Sequence, residues 1–558
     1  MLIWIGLGDF YTKGEPREAS VAISMIEKNE WILPHTYADE ITYKPPFTHW
    51  LTAIFSLAKG EVTPFTSRLP SALSFIGLIV FSFIFFGKNL KFQDAFLACL
   101  IMLTSFELHR AAMTARVDMT LTFLIVLGLI RLFRWEERKQ LKGFPIGPII
   151  ILGLAALVKG PVGTILPLLI FGIYLLVLKY NFLKILKKLI PVAFLSLIFL
   201  TTWYFFAYQT GEKAFLDLIW AENFGRFFGF SNLNIQYNLG HEAPVWYILL
   251  TLLTGFIPWT ILLVISLFGI RITSKIPGIK TIWNNILSLP KIKIFSLISA
   301  LVIIIFYCIP VSKRSVYLMP AYPFISIFIA QYVLYLTEYK KTISRIFSIF
   351  IGFLGFLILL IGTLTIITHE VDPVQIVSLF TKDTKTLADV SITWQSLNSP
   401  KILYIVLFCV LIFSLYILIK HLWKKNHLKV LFATIGVYLS IMLIMDGIFF
   451  PAFKNGVSIK PFAEKLQKDY PISDNNLFVM NNLLRYSNMY GLNFYLHNNF
   501  LNFEKEQPQK GFFLVGKDSF EKVVVEYGKT YDFYLLENVN NKNRDGDKVI
   551  QFYSFQRK

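Results

Sequence analysis

Charge is scarce in this sequence. Only 16% of its 558 residues are Asp, Glu, Lys or Arg, 55% are hydrophobic, and the mean hydropathy is +0.57. A soluble enzyme built around one large core carries far more polar surface, so that class is excluded and a polytopic membrane protein is indicated. Cysteine is nearly absent. Cys99, Cys308 and Cys409 are the only three; each lies inside an apolar run, where it reads as a small buried residue, so neither a disulfide framework nor a cysteine metal site is expected. No internal repeat and no low-complexity tract is evident, which removes the simplest support for an inverted-repeat transporter.

What is abundant is apolar sequence in long runs, such as "LSFIGLIVFSFIFF", "GTILPLLIFGIYLLVL" and "ILYIVLFCVLIFSLYILI". Each approaches the roughly 20 residues needed to cross a bilayer as a helix, and about 13 such spans are expected, counting a first one at Met1 to Leu7. That first stretch is too short to cross and has no signal-peptide features, so the start reads as truncated or as a codon placed too late. The fold class expected is an all-α polytopic membrane domain over 1–451, with a first outer loop at 8–68, followed by a small α/β domain at 452–558. In that tail "KPFAEKLQKDYP" has the period of an amphipathic helix, while "NLFVMN", "GFFLVG", "YDFYLLENV" and "VIQFYSF" read as short strands.

The net charge of +19 is explained by its distribution. Basic residues fall in alternate loops, for example Arg134, Arg138 and Lys139, then Lys179, Lys184 and Lys187, then Lys340, Lys341 and Arg345. This is the positive-inside pattern, so the excess charge is a topology signal facing membrane lipids, and no nucleic acid partner is expected. With those loops cytoplasmic, the opening stretch "GEPREASVAISMIEKNEWILPHTYADEITYKPPFTHW" and everything after Pro451 lie outside. In that stretch "REASVAISMIEKNEW" has helical periodicity, and "PFTHWLTAIFSLAK" suits a helix lying in the interface.

Basic residues on the outer side break the rule and ask for a partner: Lys44, Lys159, Arg226, Lys313 and Arg314. Lys159, alone between two apolar runs in "LGLAALVKGPVG", is the sharpest case. Acids meet them on the same face, Asp118 at the outer start of a span and Glu15 in the first loop beside Arg17. Each has a plainer reading taken alone: a snorkelling lysine, a helix N-cap, a solvated acid, an interfacial aromatic. Together they offer carboxylates for general-base work and cations for a phosphate at headgroup level. A lipid-linked sugar phosphate satisfies every element.

These segments, with "SRLPSAL", "ARVDMTLTF", "LVKGPVG", "WAENFGRFFG", "HEAPVWYILLTLLTGFIPW" and "SKRSVYLMPAYP", occur in the order and spacing of the bacterial aminoarabinose lipid A transferases, and the chain resembles that family of GT-C glycosyltransferases, relatives of the protein O-mannosyltransferases. The resemblance implies an undecaprenyl-phosphate-linked sugar donor, a lipid or glycan acceptor such as lipid A, and inverting transfer on the periplasmic side of the bacterial inner membrane. It implies catalytic roles for Glu15 and Asp118, a donor-phosphate site of Lys44, Lys159, Arg226, Lys313, Arg314 and Tyr317, and Arg17, His49 and His241 at the acceptor rim. No cofactor is firmly implied; a divalent metal ion stays open. Two departures stand out. Where the family has Asp-Glu-x-Arg this chain has Gly14-Glu15-Pro16-Arg17, leaving Glu15, Asp9 or a one-residue offset to account for the missing aspartate. Before the Lys-Pro lysine stands Tyr43 in place of a glutamate. The rival from another class is a transporter or flippase of lipid-linked glycans, which predicts unusual charges on both sides of the membrane path.

Overall fold

The computed structural model describes residues 1–225, 242–269, 279–364, 372–397, 402–481, 488–539 and 549–558. Arg226 and His241 lie outside the described residues. The membrane part is helical, and its first nine helices are α1 Gly14–Glu27, α2 Phe47–Lys59, α3 Pro64–Asn89, α4 Phe92–Thr104, α5 Phe106–Ala112, α6 Val117–Lys139, α7 Ile146–Lys159, α8 Val162–Val177 and α9 Phe182–Trp220. Among the described residues seven helices are long and apolar enough to cross a bilayer, or nine if each bent pair is one span, fewer than the number expected from hydropathy. The shortfall has local causes. α4 and α5 form one pair, bent by 63°, and Trp246–Gly255 and Trp259–Gly269 form another, bent by 101°. α7 and α8 hold 14 and 16 residues, about 21 and 24 Å of helix against a hydrocarbon core of about 30 Å. α6 is long enough, yet carries Asp118 at one end and Arg131, Arg134 and Glu136 toward the other.

The span expected at Met1 to Leu7 is absent. These residues form turns, and Asn455 Nδ2 donates to the Leu7 carbonyl at 3.0 Å. Both helices expected in the first outer loop are present as α1 and α2. α3 starts sharply because Thr63 and Thr66 form a reciprocal capping box with Pro64 at the first helical position. α6 packs between α3 and α7, and its core-facing residues Met119, Ile125 and Leu129 are fully buried.

At the opposite end of α6 from Asp118, buried Glu136 accepts from Lys291 at 3.0 Å and Tyr180 at 3.2 Å. The segments carrying Tyr180 and Lys291, two of the basic stretches, therefore meet at that end of α6, while the first loop meets the chain just before the other end through Glu15 and the Ala115 amide.

The C-terminal part is a five-stranded sheet in the order β4-β3-β5-β7-β6. Its strands are β3 Leu477–Val479, β4 Leu501–Asn502, β5 Lys510–Gly516, β6 Tyr531–Val539 and β7 Ile550–Arg557; β3 is parallel to β4 and β5, and the β5–β7 and β6–β7 pairs are antiparallel. The last long helical run continues past residue 451 to Gly456, and the expected amphipathic helix is Lys460–Asp469.

The first loop is stitched into this sheet domain by a hairpin of β1 His35–Thr36 and β2 Glu40–Ile41. Its tip residues Tyr37, Ala38 and Asp39 all have positive φ, at 33°, 55° and 68°, a costly backbone for residues with a Cβ unless the surroundings impose it. Here they do. Tyr37 is 1% exposed, packs on the rings of Tyr490 at 5.0 Å and Phe500 at 5.4 Å, and its hydroxyl accepts from the Met489 amide at 3.0 Å. Asn498 Oδ1 accepts from the Tyr37 amide, and Asn481 Nδ2 donates to the Ala38 carbonyl.

Removing a buried aromatic costs about 3–5 kcal/mol. Tyr37→Ala should therefore release the C-terminal domain from the first loop and expose the hairpin to limited proteolysis. Unchanged cleavage kinetics would show that the hairpin does not hold the domain.

Candidate active site

Ion pairs organise the end of the bundle that carries the first loop. The first is fully buried: Arg68, on α3, donates from Nε to Glu15 Oε1 at 2.7 Å and from Nη2 to Oε2 at 3.2 Å, and the Ala115 amide donates to Oε1 at 3.0 Å. Glu15 is 0% and Arg68 1% exposed. The remaining Arg68 donors reach the carbonyls of Ile5, Gly8 and Asp9. Glu15 was expected at an open rim as a general base. Its carboxylate is instead enclosed, with both oxygens occupied by Arg68, so no acceptor hydroxyl reaches it in this arrangement. Asp9 meets its neighbours through its backbone, the carbonyl on Arg68 and the amide on Asn455 Oδ1 at 2.8 Å.

The second pair was not foreseen. Glu18 bonds Lys44 through Oε1 and His49 Nε2 through Oε2, the latter at 2.8 Å. The Pro45-Pro46 step keeps Lys44 out of α2, and His49, 3% exposed, sits in the first turn of that helix. Arg17 pairs with Glu40, donates to Tyr43 at 3.2 Å and lies over the Tyr490 ring at 5.5 Å, while the Tyr490 hydroxyl donates to Glu40 at 2.6 Å.

The third pair joins Asp118, at the start of α6, to Lys159, at the end of α7. Gly160 follows with φ of +80°, a left-handed conformation that ends α7 immediately after the lysine. The Lys159 ammonium also lies 4.3 Å from the centre of the Tyr317 ring. In the segment leading to Tyr317, Lys313 is 5% exposed, and its ammonium donates to the Pro310 carbonyl at 2.5 Å. Arg314 is within electrostatic reach of Lys159, and its buried Nε has no hydrogen-bond partner among the described residues. Trp50 and Trp203, possible sugar stackers by type, donate their indole N–H groups to the loop carbonyls of Trp31 and Ile32. Among the described residues no three His, Cys, Asp or Glu side chains converge to hold a metal ion, so the donor set they offer does not fit a divalent cation.

Sequence reasoning singled out Lys44, Lys159, Asp118, Arg17, His49 and Tyr317, and the structure brings these into neighbouring pairs. It missed Arg68, Glu18 and the His109–Asp446 pair at 2.7 Å. Arg68 and Asp446 carried a usable signal, each a charge within an apolar span. Glu18 carried none, being one more charge on an amphipathic helix.

Comparison with known proteins agrees with this architecture. The family profile described as "Dolichyl-phosphate-mannose-protein mannosyltransferase" matches residues 43–206. The undecaprenyl phosphate-alpha-4-amino-4-deoxy-L-arabinose arabinosyl transferase of Shewanella sediminis is 24% identical over 59% of this chain and 57% of its own length. The protein of the same name from Edwardsiella ictaluri is 27% identical over 44% of each. The chain thus matches only about half the length of these curated relatives. The crystal structure of ArnT from Cupriavidus metallidurans bound to undecaprenyl phosphate superposes with a TM-score of 0.69 at 15% identity, covering 99% of this chain and 95% of that one. The fold is therefore of the GT-C type, in a multi-pass membrane protein that resembles the aminoarabinose transferases.

The Glu15 and Glu18 carboxylates are held below their ordinary value of 4.5. For each, burial pushes the carboxyl up, and the neighbouring cations, Arg68 for Glu15 and Lys44 for Glu18, outweigh it. A depressed carboxylate contributes stability that is complete above the unfolded value and is lost as pH falls through the folded one. Thermal unfolding of the detergent-purified protein should therefore be steady from pH 7 to about 5 and drop below about pH 4.5. Glu15→Gln should be destabilised at pH 7, since one broken buried pair costs about 3–5 kcal/mol, and should lose part of the acid dependence. A variant as stable as the parent would remove Glu15 from the scaffold.

Proposed function

We propose that the chain is a glycosyltransferase that moves a sugar from an undecaprenyl-phosphate-linked donor to a lipid A-type or other cell-envelope acceptor, with inversion, on the periplasmic face of the inner membrane. The observation that carries this reading is the excess of cations over acids near Lys159 among the described residues. Asp118, paired with Lys159, is also within electrostatic reach of Arg116 and Lys44, Arg314 is within reach of Lys159 and its buried Nε has no hydrogen-bond partner among the described residues, and Lys313 is buried against a carbonyl. Buried cations cost several kcal/mol unless an anion compensates them, and a phosphate at headgroup level supplies one. The ArnT structure that shares this fold is described as bound to undecaprenyl phosphate, and the named relatives transfer an aminoarabinose. Gly14 and Tyr43 depart from the family pattern, so the sugar is left general here.

In this reading the donor phosphate lies on Lys159, Lys313 and Arg314, with Lys44 and Arg226 contributing from the first loop and from the segment after α9, and the ring of Tyr317 walls the pocket. The acceptor oxygen attacks the anomeric carbon as the bond from that carbon to the phosphate oxygen breaks. The bonding pair stays on the leaving polyprenyl phosphate, which gains one negative charge and is stabilised there by the ammonium groups. Asp118 holds Lys159 in place between turnovers. Arg17, His49 and His241 border the acceptor side. The C-terminal domain is periplasmic in this scheme, because it shares the first loop's end of the bundle while two of the basic stretches meet at the other end.

Lys159→Ala should weaken undecaprenyl phosphate binding by about 10- to 150-fold, the equivalent of the roughly 1.5–3 kcal/mol of a charge-assisted hydrogen bond, in a protein that still folds. Undiminished affinity would return Lys159 to a structural role. The sugar and acceptor are read by mass spectrometry of envelope lipids and undecaprenyl-phosphate sugars with and without the gene.

For topology, alkaline phosphatase fused after Lys558 should be active; an inactive fusion at normal expression would place the site on the cytoplasmic face.

A further inference from the structure

The geometry points to Glu18 as the base that receives the acceptor's proton, with Lys44 holding it idle until a donor phosphate draws the lysine away. This rests on the transferase reading above. Residues 14 and 18 lie one turn apart on the same face of α1, about 6 Å along its axis. The side-chain-free position 14 faces Arg116, whose Nη2 would stand 3.1 Å from a Cβ there. Arg116, Glu18 and His49 line one small cavity, and so do Thr48 and Ser67. The hydroxyls of Thr48 and Ser67, 6% and 4% exposed, have no hydrogen-bond partner among the described residues. Two unpartnered buried hydroxyls beside a carboxylate and an imidazole form a polar recess sized for a hydroxyl group rather than a sugar ring.

Of Glu15, Glu18 and Asp118, Glu18 is the one hydrogen-bonded to a histidine. Glu15 is enclosed by Arg68, and Asp118 is paired with Lys159. In the transfer step the acceptor O–H bond breaks and its proton goes to Glu18. The acceptor oxygen bonds the anomeric carbon, and the electron pair of the broken glycosyl–phosphate bond leaves with the phosphate. His49, 2.8 Å from Glu18 Oε2, gives the proton its next stop. Such a base serves a hydroxyl acceptor; an ionised phosphate oxygen would not need it.

Lys44 links this base to the donor. It pairs with Glu18 and lies within electrostatic reach of Asp118, the partner of Lys159. While it sits on Glu18 the carboxylate is a poor base, and while Glu18 holds it, it is unavailable to the phosphate. Donor binding and base activation thus draw on the same ammonium, so the acceptor's proton is taken only once the donor is in place.

The test uses undecaprenyl phosphate as the probe and full-length protein in detergent, with each variant's thermal unfolding recorded so that affinities refer to folded protein. Because Glu18 competes with the phosphate for Lys44, Glu18→Gln should bind undecaprenyl phosphate about threefold to fivefold more tightly than the parent. Lys44→Ala should bind less tightly, and the double variant should match Lys44→Ala. In cells, Glu18→Gln should lower the envelope modification by about 10²- to 10⁴-fold, while Glu18→Asp, which keeps the charge, should retain more. Weaker or unchanged affinity in Glu18→Gln overturns the competition, and near-normal modification overturns the base. A parent protein that does not bind undecaprenyl phosphate fails the transferase reading instead, a separate result.

Discussion

One guanidinium sets the geometry on which the site depends. Arg68 stands in the first turns of α3, fully buried, and spends its donors on the Glu15 carboxylate and on three carbonyls of residues 5–9. A buried ion pair of this kind adds little net stability over an apolar replacement, because desolvation consumes most of the Coulombic gain. Its contribution is directional. Five donors in a planar fork accept one arrangement of partners, and that arrangement fixes α1 on α3 and on the amide that precedes Arg116. With α1 so oriented, the face carrying positions 14 and 18 turns toward the cavity, and the first loop becomes one wall of a site whose other wall is α6 and α7.

The same loop is held from its far side. Arg17, two residues past Glu15, reaches Glu40 and through it the hydroxyl of Tyr490, while Tyr37 is buried in the sheet domain. A segment gripped by Arg68 on the membrane side and by Tyr37, Asn498 and Tyr490 on the domain side has few ways to move as a unit. The positive φ values at the hairpin tip are tolerated because that second grip over-determines them. This accounts for the chemical diversity of residues 14–50 in an otherwise apolar chain: one short stretch contacts the membrane helices, the sheet domain and the candidate site, and each contact needs a different kind of side chain.

Much of this was legible before the structure. Hydropathy located the apolar runs, periodicity located α1, α2 and the helix Lys460–Asp469, and alternation located β3, β5, β6 and β7. Hydropathy counts apolar segments without seeing bends, so α4 and α5 and the two halves of the Trp246–Gly269 segment read as simple crossings, and the folded turns at Met1 to Leu7 read as a span. In the site, the rule that a misplaced charge needs a reason flagged Asp118 and Lys159 one at a time. It could not pair them, because 41 positions separate them and only the packing of α6 against α7 closes the gap. Applied evenly, the rule would also have flagged Arg68. Glu15 looked like the acid of the first loop because it stood beside the family's missing aspartate, and a sequence carries no burial with which to object.

The charge balance then bears on the order of events. Among the described residues Lys44, Lys159, Arg314 and Arg116 stand around the site against Glu18 and Asp118, once Glu15 is assigned to Arg68, Glu40 to Arg17 and Glu107 to Arg110. Each of the two acids already neutralises a lysine. What is left is positive charge within a partly dry interior, where like charges repel more strongly than in water. Such a site favours an anion over a neutral hydroxyl compound, and in the proposed transfer the phosphate-bearing donor therefore gains most by arriving first. In that scheme its arrival relieves the repulsion among the cations and, by drawing Lys44 away, frees Glu18 to act on the acceptor that binds second.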